Sequence, residues 1–175
     1  VIGRIARAVG GGDPSRAFSI TGPYGTGKSS LAVFLDALLG PEGDPATQAA
    51  ASVLSAVDPG LLKLLKTGTH DSSLGFIRAV VTATREPVSA TVIRALAHGA
   101  HRFAPRRDRS SWTAVVRDLD DAVAGLTDRD RALPTSRFVL DTISALGRFA
   151  PVLLVIDEFG KNLEAFTESR SDADL

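Results

Sequence analysis

The chain has 175 residues, of which 44% are hydrophobic and 23% are charged, so it is long enough to bury a sizeable apolar core. Its formal net charge is zero, which excludes recruitment of nucleic acid or anionic lipid by a strong overall field. It contains no cysteine, which excludes disulfide bonds and thiolate metal sites. Because no apolar run is long enough to cross a bilayer and no signal peptide is visible, we expect a cytoplasmic protein without membrane contact.

Residues 1–12 predict a short leading helix and a linker. Ile2, Ile5 and Val9 share one helical face, and a run of glycines follows them. The chain begins without an initiator methionine and stops in a polar segment. We therefore expect it to be part of a longer polypeptide that carries further domains.

Residues 22–29 read Gly-Pro-Tyr-Gly-Thr-Gly-Lys-Ser and match the phosphate-binding pattern G-x-x-x-x-G-K-[ST]. Before them, Phe18 and Ile20 predict a short strand that leads into the loop. After them, leucines at helical spacing predict a helix that starts near Lys28. Residues 13–45 are therefore expected to form a strand–loop–helix unit.

The residue types of this loop suit a nucleoside triphosphate. Glycines let the backbone turn sharply and bring its N–H groups against phosphate oxygens, and the helix start adds further N–H donors. Lys28 supplies a catalytic positive charge for the β- and γ-phosphates, and the Ser29 hydroxyl is placed to bind Mg²⁺. Tyr24 either covers the phosphates or only fills a variable position. The predicted nucleotide-binding residues are Gly22, Pro23, Tyr24, Gly25, Thr26, Gly27, Lys28, Ser29 and Ser30. The alternative is a glycine-rich turn that caps an ordinary helix.

Residues 46–150 predict a largely helical region with one strand. Branched residues favour a strand at 76–84, although a helix is the alternative there. The predicted helix starts are Ala46, Asp58-Pro59, Pro87, an N-cap at Ser110, and an N-cap at Thr135 or Ser136. The region is longer than a compact nucleotide-binding core needs, so we interpret it as a helical insertion or an enlarged helical layer.

Residues 151–175 begin with an apolar run, Val152–Ile156, that is typical of a parallel strand covered on both faces. Asp157 and Glu158 follow at the end of the predicted strand, where open α/β sheets bind ligands. We expect Asp157 to hold Mg²⁺ together with Ser29, and Glu158 to act as the general base that polarises the attacking water. The alternative is an acidic strand end that only caps the next turn.

The two segments together resemble the Walker A and Walker B motifs of P-loop NTPases of the additional-strand catalytic-glutamate division, most closely the AAA+ and STAND ATPases. Residues 157–164 also look like the segment after Walker B in large bacterial ATPases from phage-defence loci. The resemblance implies an α/β fold with a parallel sheet flanked by helices, ATP and Mg²⁺ as cofactors, and self-association through the ATPase domain. It implies a hydrolase that drives or gates conformational change or assembly. In that division a later strand carries a sensor residue, so we expect a domain truncated on its C-terminal side, with no sensor or arginine finger assigned.

Three alternatives remain open on the sequence. A GTPase is one, because Asp157–Gly160 also reads D-x-x-G, although no N-K-x-D motif is present and the acidic pair favours ATP. A nucleotide-gated switch with little hydrolysis is the second. Nucleic-acid binding is the third, because residues 101–112 mix arginines with aromatic rings. The simpler interpretation of that stretch is a solvated basic loop with Phe103 and Trp112 in the core.

Overall fold

The computed structural model describes residues 1–67, 73–128 and 132–171, and this part of the chain is an α/β protein. It contains eight helices and one sheet of two parallel strands. The chain divides into two compact units, Val1–Phe76 and Ile77–Leu175. Within the described ranges, every helix falls short of the length and hydropathy that a bilayer-spanning segment requires.

All regular structure in the described part of the first unit is helical. Its helices are α1 (Ile2–Val9), α2 (Lys28–Leu38), α3 (Pro45–Val57) and α4 (Pro59–Thr67). Asp44 caps α3 by accepting a hydrogen bond from the Ala46 N–H at 2.8 Å, with proline at the first helical position. Asp58 accepts a similar bond from the Leu61 N–H at 3.1 Å. The helices predicted at the start of the chain, after the glycine-rich loop, and on both sides of Asp58 are confirmed.

The strand predicted ahead of the glycine-rich loop is wrong. Residues 13–23 have no regular secondary structure up to the turn of the loop, and Ile20 is 40% exposed. A strand is stabilised by hydrogen bonds to a neighbouring strand, and the described part of this unit offers only helices. The segment is held instead by local contacts, among them the Arg4 guanidinium, which lies 5.4 Å from the centroid of the Phe18 ring.

The second unit is built on two parallel strands, β1 (Ile77–Thr82) and β2 (Val152–Asp157). Both strands were predicted at these places and are confirmed. Parallel strands need a long crossover connection. Three helices provide it: α5 (Val88–His101), α6 (Arg109–Gly125) and α7 (Ser136–Gly147). In the register of the sheet Thr82 lies opposite Asp157, so both strands end at the same edge. Helix α8 (Gly160–Ser171) follows β2 directly.

Two helix starts in this unit test the capping predictions. The predicted N-cap of α6, Ser110, is wrong: Asp108 takes that position and accepts a hydrogen bond from the Ser111 N–H at 3.3 Å. A carboxylate three residues before an unpaired N–H reaches it well, and the helix gains an extra half turn by starting earlier. The N-cap of α7 is Thr135, as predicted, and its hydroxyl accepts from the Phe138 N–H at 3.2 Å.

The aromatic residues of the basic stretch 101–112 belong to the core. Trp112 lies between Phe103, at 5.3 Å between ring centroids, and Phe149, at 5.0 Å. Phe103 and Trp112 are both buried, whereas the arginines between them are exposed. The prediction that Phe103 and Trp112 lie in the core is confirmed.

Helix α5 packs unusually close to β1 at Gly99. A Cβ at this position would lie 2.8 Å from the Arg78 carbonyl oxygen and 2.9 Å from the Ala79 nitrogen. Both neighbours are backbone atoms that no side-chain rotation can move. The absence of a side chain at Gly99 therefore sets the distance between the helix and the strand.

We expect Gly99→Ala to lower the free energy of unfolding by about 1–3 kcal/mol, because the added methyl group overpacks a backbone contact. The matched control is Gly147→Ala in α7, where a Cβ would meet nothing within 4 Å. This control should gain up to about 1 kcal/mol from the higher helix propensity of alanine. Urea denaturation followed by circular dichroism measures both variants, and equal stabilities would contradict the close contact.

Candidate nucleotide-binding loop and acidic strand end

The glycine-rich loop, residues 22–29, turns directly into α2. Gly25 and Gly27 have φ angles of 81° and 83°, in the left-handed region. A Cβ at either glycine would meet nothing within 4 Å, so backbone conformation rather than lack of space requires glycine there. Gly27 is the N-cap of α2. The loop therefore ends on the first N–H groups of a helix, which have no intrahelical acceptor.

The Lys28 ammonium folds back over this loop. Its Nζ donates to the carbonyl oxygens of Gly22, at 2.9 Å, and Pro23, at 2.8 Å. The Thr26 hydroxyl donates to the same Pro23 carbonyl at 2.8 Å. These bonds tie both ends of the loop together, so a full positive charge and the positive end of the α2 dipole lie at one short turn.

Most of the loop is open to solvent. Tyr24, at its tip, is 99% exposed and takes no part in the core. Ser29 and Ser30 lie in the first turn of α2 and are also exposed, while Lys28 is half-buried. An exposed, positively charged turn is accessible to an anion from solution, and the position of Tyr24 is compatible with both roles considered for it.

The acidic strand end consists of Asp157, the last residue of β2, and Glu158. The Asp157 Oδ1 accepts a hydrogen bond from the Glu158 N–H at 2.9 Å, and Glu158 has a φ of 55°. A residue other than glycine with positive φ marks a sharply turned backbone. Asp157 thus supports the turn, as expected for an acidic residue that caps the end of a strand. A carboxylate has several lone pairs, so this bond is compatible with ligand binding as well.

The Glu158 side chain pairs with the next helix. Its Oε2 lies 2.5 Å from the Lys161 Nζ, and this hydrogen bond, followed by the charge of Glu158, raises the pKa of Lys161 above its ordinary value. Both side chains are nearly half exposed. Exposed ion pairs contribute little to stability and exchange readily with water. The pair therefore orients Glu158 without locking it.

A buried polar cluster that the sequence reasoning missed lies at the start of α8. It consists of Asn162, which is fully buried, Thr91 on α5, and Glu86 after β1. Asn162 Nδ2 donates to the Glu86 carbonyl oxygen and to Thr91 Oγ1, both at 2.8 Å, and Thr91 Oγ1 donates to Glu86 Oε1 at 2.7 Å. The Glu86 carboxylate also pairs with Arg94. The only local signal was an asparagine four residues after Glu158, and its burial is evident only in the structure.

Each half of the predicted site is built within its own unit. Lys28 and Ser29 belong to the first unit, and Asp157 and Glu158 to the second. Across the described ranges, no group of three or more His, Asp or Glu side chains is arranged to hold a metal ion. The metal site predicted at Ser29 and Asp157 stays a prediction.

The first unit also contains a cavity of about 100 Å³. Residues of α2, α3 and α4 line it. Among them is Thr47 on α3, whose buried hydroxyl has no hydrogen-bond partner in the described part of the chain. Pockets for cofactors usually measure about 300–1,000 Å³. The cavity is smaller than such a pocket.

No protein-family model, curated protein or solved structure matches this chain. What this chain does is therefore inferred from the loop, from the acidic strand end and from the motifs that they carry.

Proposed function

We propose that this chain binds ATP through residues 22–30 and hydrolyses it with Mg²⁺, as the ATPase module of a larger protein. The observation that carries the proposal is the position of the Lys28 ammonium, held 2.8–2.9 Å from two carbonyl oxygens of a loop that ends on a helix N-terminus. Backbone N–H groups, a helix dipole and a lysine charge are the three elements by which proteins bind phosphate chains.

The loop is suited to a triphosphate because its cation is already oriented. Gly22 and Pro23 hold the Lys28 Nζ with neutral carbonyl acceptors. A phosphate oxygen is a charged acceptor and forms a stronger hydrogen bond with an ammonium group, so Lys28 exchanges a carbonyl for phosphate with a net gain. The left-handed glycines, Gly25 and Gly27, direct the backbone toward the same ligand.

The residues present fit Mg²⁺. This ion is usually held by one or two protein oxygens and by the phosphates of the nucleotide. Ser29 and Asp157 would supply the protein oxygens, and the bound ion would neutralise charge on the phosphates.

Glu158 is proposed as the general base. Its carboxylate follows β2 directly and reaches solvent, so it accepts a proton from a water molecule once it releases Lys161.

The resemblance to AAA+ and STAND ATPases extends the proposal. By that resemblance the chain forms a P-loop core with an enlarged helical region and self-associates through this domain. It would use ATP to drive conformational change or assembly, and antiviral defence is one setting for such an activity.

We expect Lys28→Ala to weaken Mg-ATP binding by about 10- to 100-fold, because a hydrogen bond to a charged group contributes about 1.5–3 kcal/mol. Isothermal titration calorimetry measures the affinity, and a parallel titration with GTP tests the guanine alternative. The matched control is Lys63→Ala on α4, which removes the same charge from an exposed position of the same unit. Unchanged ATP affinity in Lys28→Ala would exclude this nucleotide site.

A further inference from the structure

We propose that the cluster of Asn162, Thr91 and Glu86 is a positioning device for the catalytic turn: it holds the start of α8 so that Glu158 keeps its orientation. This inference rests on the proposed hydrolytic role of Glu158. The three residues themselves touch no substrate in this proposal. They act through the backbone that carries Glu158.

The amide of Asn162 has a defined orientation. The Glu86 carbonyl oxygen only accepts hydrogen bonds, so the atom 2.8 Å from it must be the Asn162 nitrogen. The same nitrogen donates its second hydrogen to Thr91 Oγ1 at 2.8 Å, which leaves the threonine hydroxyl proton for Glu86 Oε1 at 2.7 Å. The donors and acceptors form one directed chain that joins α8, α5 and the segment after β1.

Short backbone bonds link this anchor to the acidic strand end. The Lys161 N–H donates to the Glu158 carbonyl oxygen, and the Asn162 N–H to the Phe159 carbonyl oxygen, both at 3.0 Å. Glu158 also has the left-handed backbone conformation that a side chain rarely adopts unless its surroundings hold it. Fixing Asn162 therefore fixes the turn in which Glu158 lies.

The cluster is not the arrangement that maximal stability would favour. Asn162 Oδ1 is buried and has no hydrogen-bond partner in the described part of the chain. A buried acceptor without a partner costs free energy, which an apolar residue at the same place would avoid. What the structure shows for this polar residue is orientation: its amide nitrogen ties the start of α8 to α5 and to the segment after β1.

The test compares Thr91→Val with Thr91→Ser in the full-length protein. Thr91→Val keeps the shape of the side chain but removes the hydroxyl that joins Asn162 to Glu86, whereas Thr91→Ser retains it. We expect kcat for ATP hydrolysis to fall about 10- to 100-fold in Thr91→Val, because a small misplacement of a catalytic group has effects of this size. The dissociation constant for ATP should stay unchanged, and Thr91→Ser should restore most of the rate.

The matched control is Thr142→Val. Thr142 is a buried threonine of the same unit, but its hydroxyl donates at 2.8 Å to the Phe138 carbonyl oxygen of its own helix. It should lose stability without losing kcat. If Thr91→Val fails to fold, Thr91→Ala replaces it, because this variant removes the same hydroxyl and gains helix propensity.

Two results would overturn the proposal, and they are distinguishable. The first result is an equal kcat in Thr91→Val and Thr142→Val, in an assay in which Glu158→Gln shows no turnover. It would reject the positioning role and leave the proposed function intact. Parent-like turnover in Glu158→Gln would reject the hydrolytic role of Glu158, and the positioning proposal would fall with it.

Discussion

Glu158→Gln is expected to bind Mg-ATP with the affinity of the parent protein and to hydrolyse it about 10²- to 10⁴-fold more slowly, the range that general acid–base catalysis supplies. The amide has nearly the shape of the carboxylate but does not accept the proton of the attacking water. The glycine-rich loop is unchanged in this variant, so phosphate binding should persist. A steady-state ATPase assay together with calorimetry separates the two effects.

Glu164→Gln provides the matched control for this experiment. Glu164 is exposed on α8, the helix that follows Glu158, where its Oε2 pairs with the Arg85 Nε at 2.9 Å. The substitution removes the same charge from another exposed carboxylate of the same unit, so a general change in surface charge would affect both variants equally. Parent-like turnover in Glu158→Gln, or equal losses in both variants, would contradict the assignment of Glu158 as general base.

Gly75→Ala should lower the free energy of unfolding of the first unit by about 2–5 kcal/mol, the sum of a strained backbone and an overpacked contact. Gly75 has a φ of 68°, and a Cβ there would lie 2.5 Å from the Gly40 carbonyl group. The neighbouring Phe76 N–H donates to the Leu39 carbonyl oxygen at 2.9 Å, at the end of α2. Strain at Gly75 therefore reaches the helix that carries the glycine-rich loop.

Gly11→Ala separates the two causes. Gly11 lies in the same unit with a φ of 80°, but a Cβ there would meet nothing within 4 Å. This variant should show only the conformational cost, about 1–2 kcal/mol. Guanidinium denaturation followed by circular dichroism measures both variants. Equal destabilisation would show that the contact between Gly75 and Gly40 contributes nothing.

The features that the sequence predicted well are those with a local cause. Asp58 and Thr135 mark helix starts because a short polar side chain reaches the unpaired N–H groups three residues later. The apolar run of β2 is predictable because its branched residues suit a covered strand. The turn into α2 follows from the fixed spacing of glycines and Lys28.

The features that the sequence did not predict depend on distant partners. Phe18 and Ile20 have the composition of a strand, but a strand forms only where another strand lies beside it. The hydrogen bonds of Asn162 join residues 71 and 76 positions apart, and no local pattern encodes such a separation. The division after Phe76 likewise depends on which helices pack together rather than on any change in composition along the chain.

The placement of two aromatic residues gives the molecule a pair of intrinsic optical reporters. Trp112 is the only tryptophan and Tyr24 the only tyrosine of the chain. Trp112 is buried between two phenylalanine rings in the second unit, so its fluorescence emission reports the packing of that unit. Tyr24 lies in the glycine-rich loop of the first unit, where its ring is exposed to any ligand that quenches it. Excitation at wavelengths longer than those that tyrosine absorbs therefore follows the second unit through Trp112. Tyrosine emission in a Trp112→Phe variant follows the first unit, and neither measurement needs an attached dye.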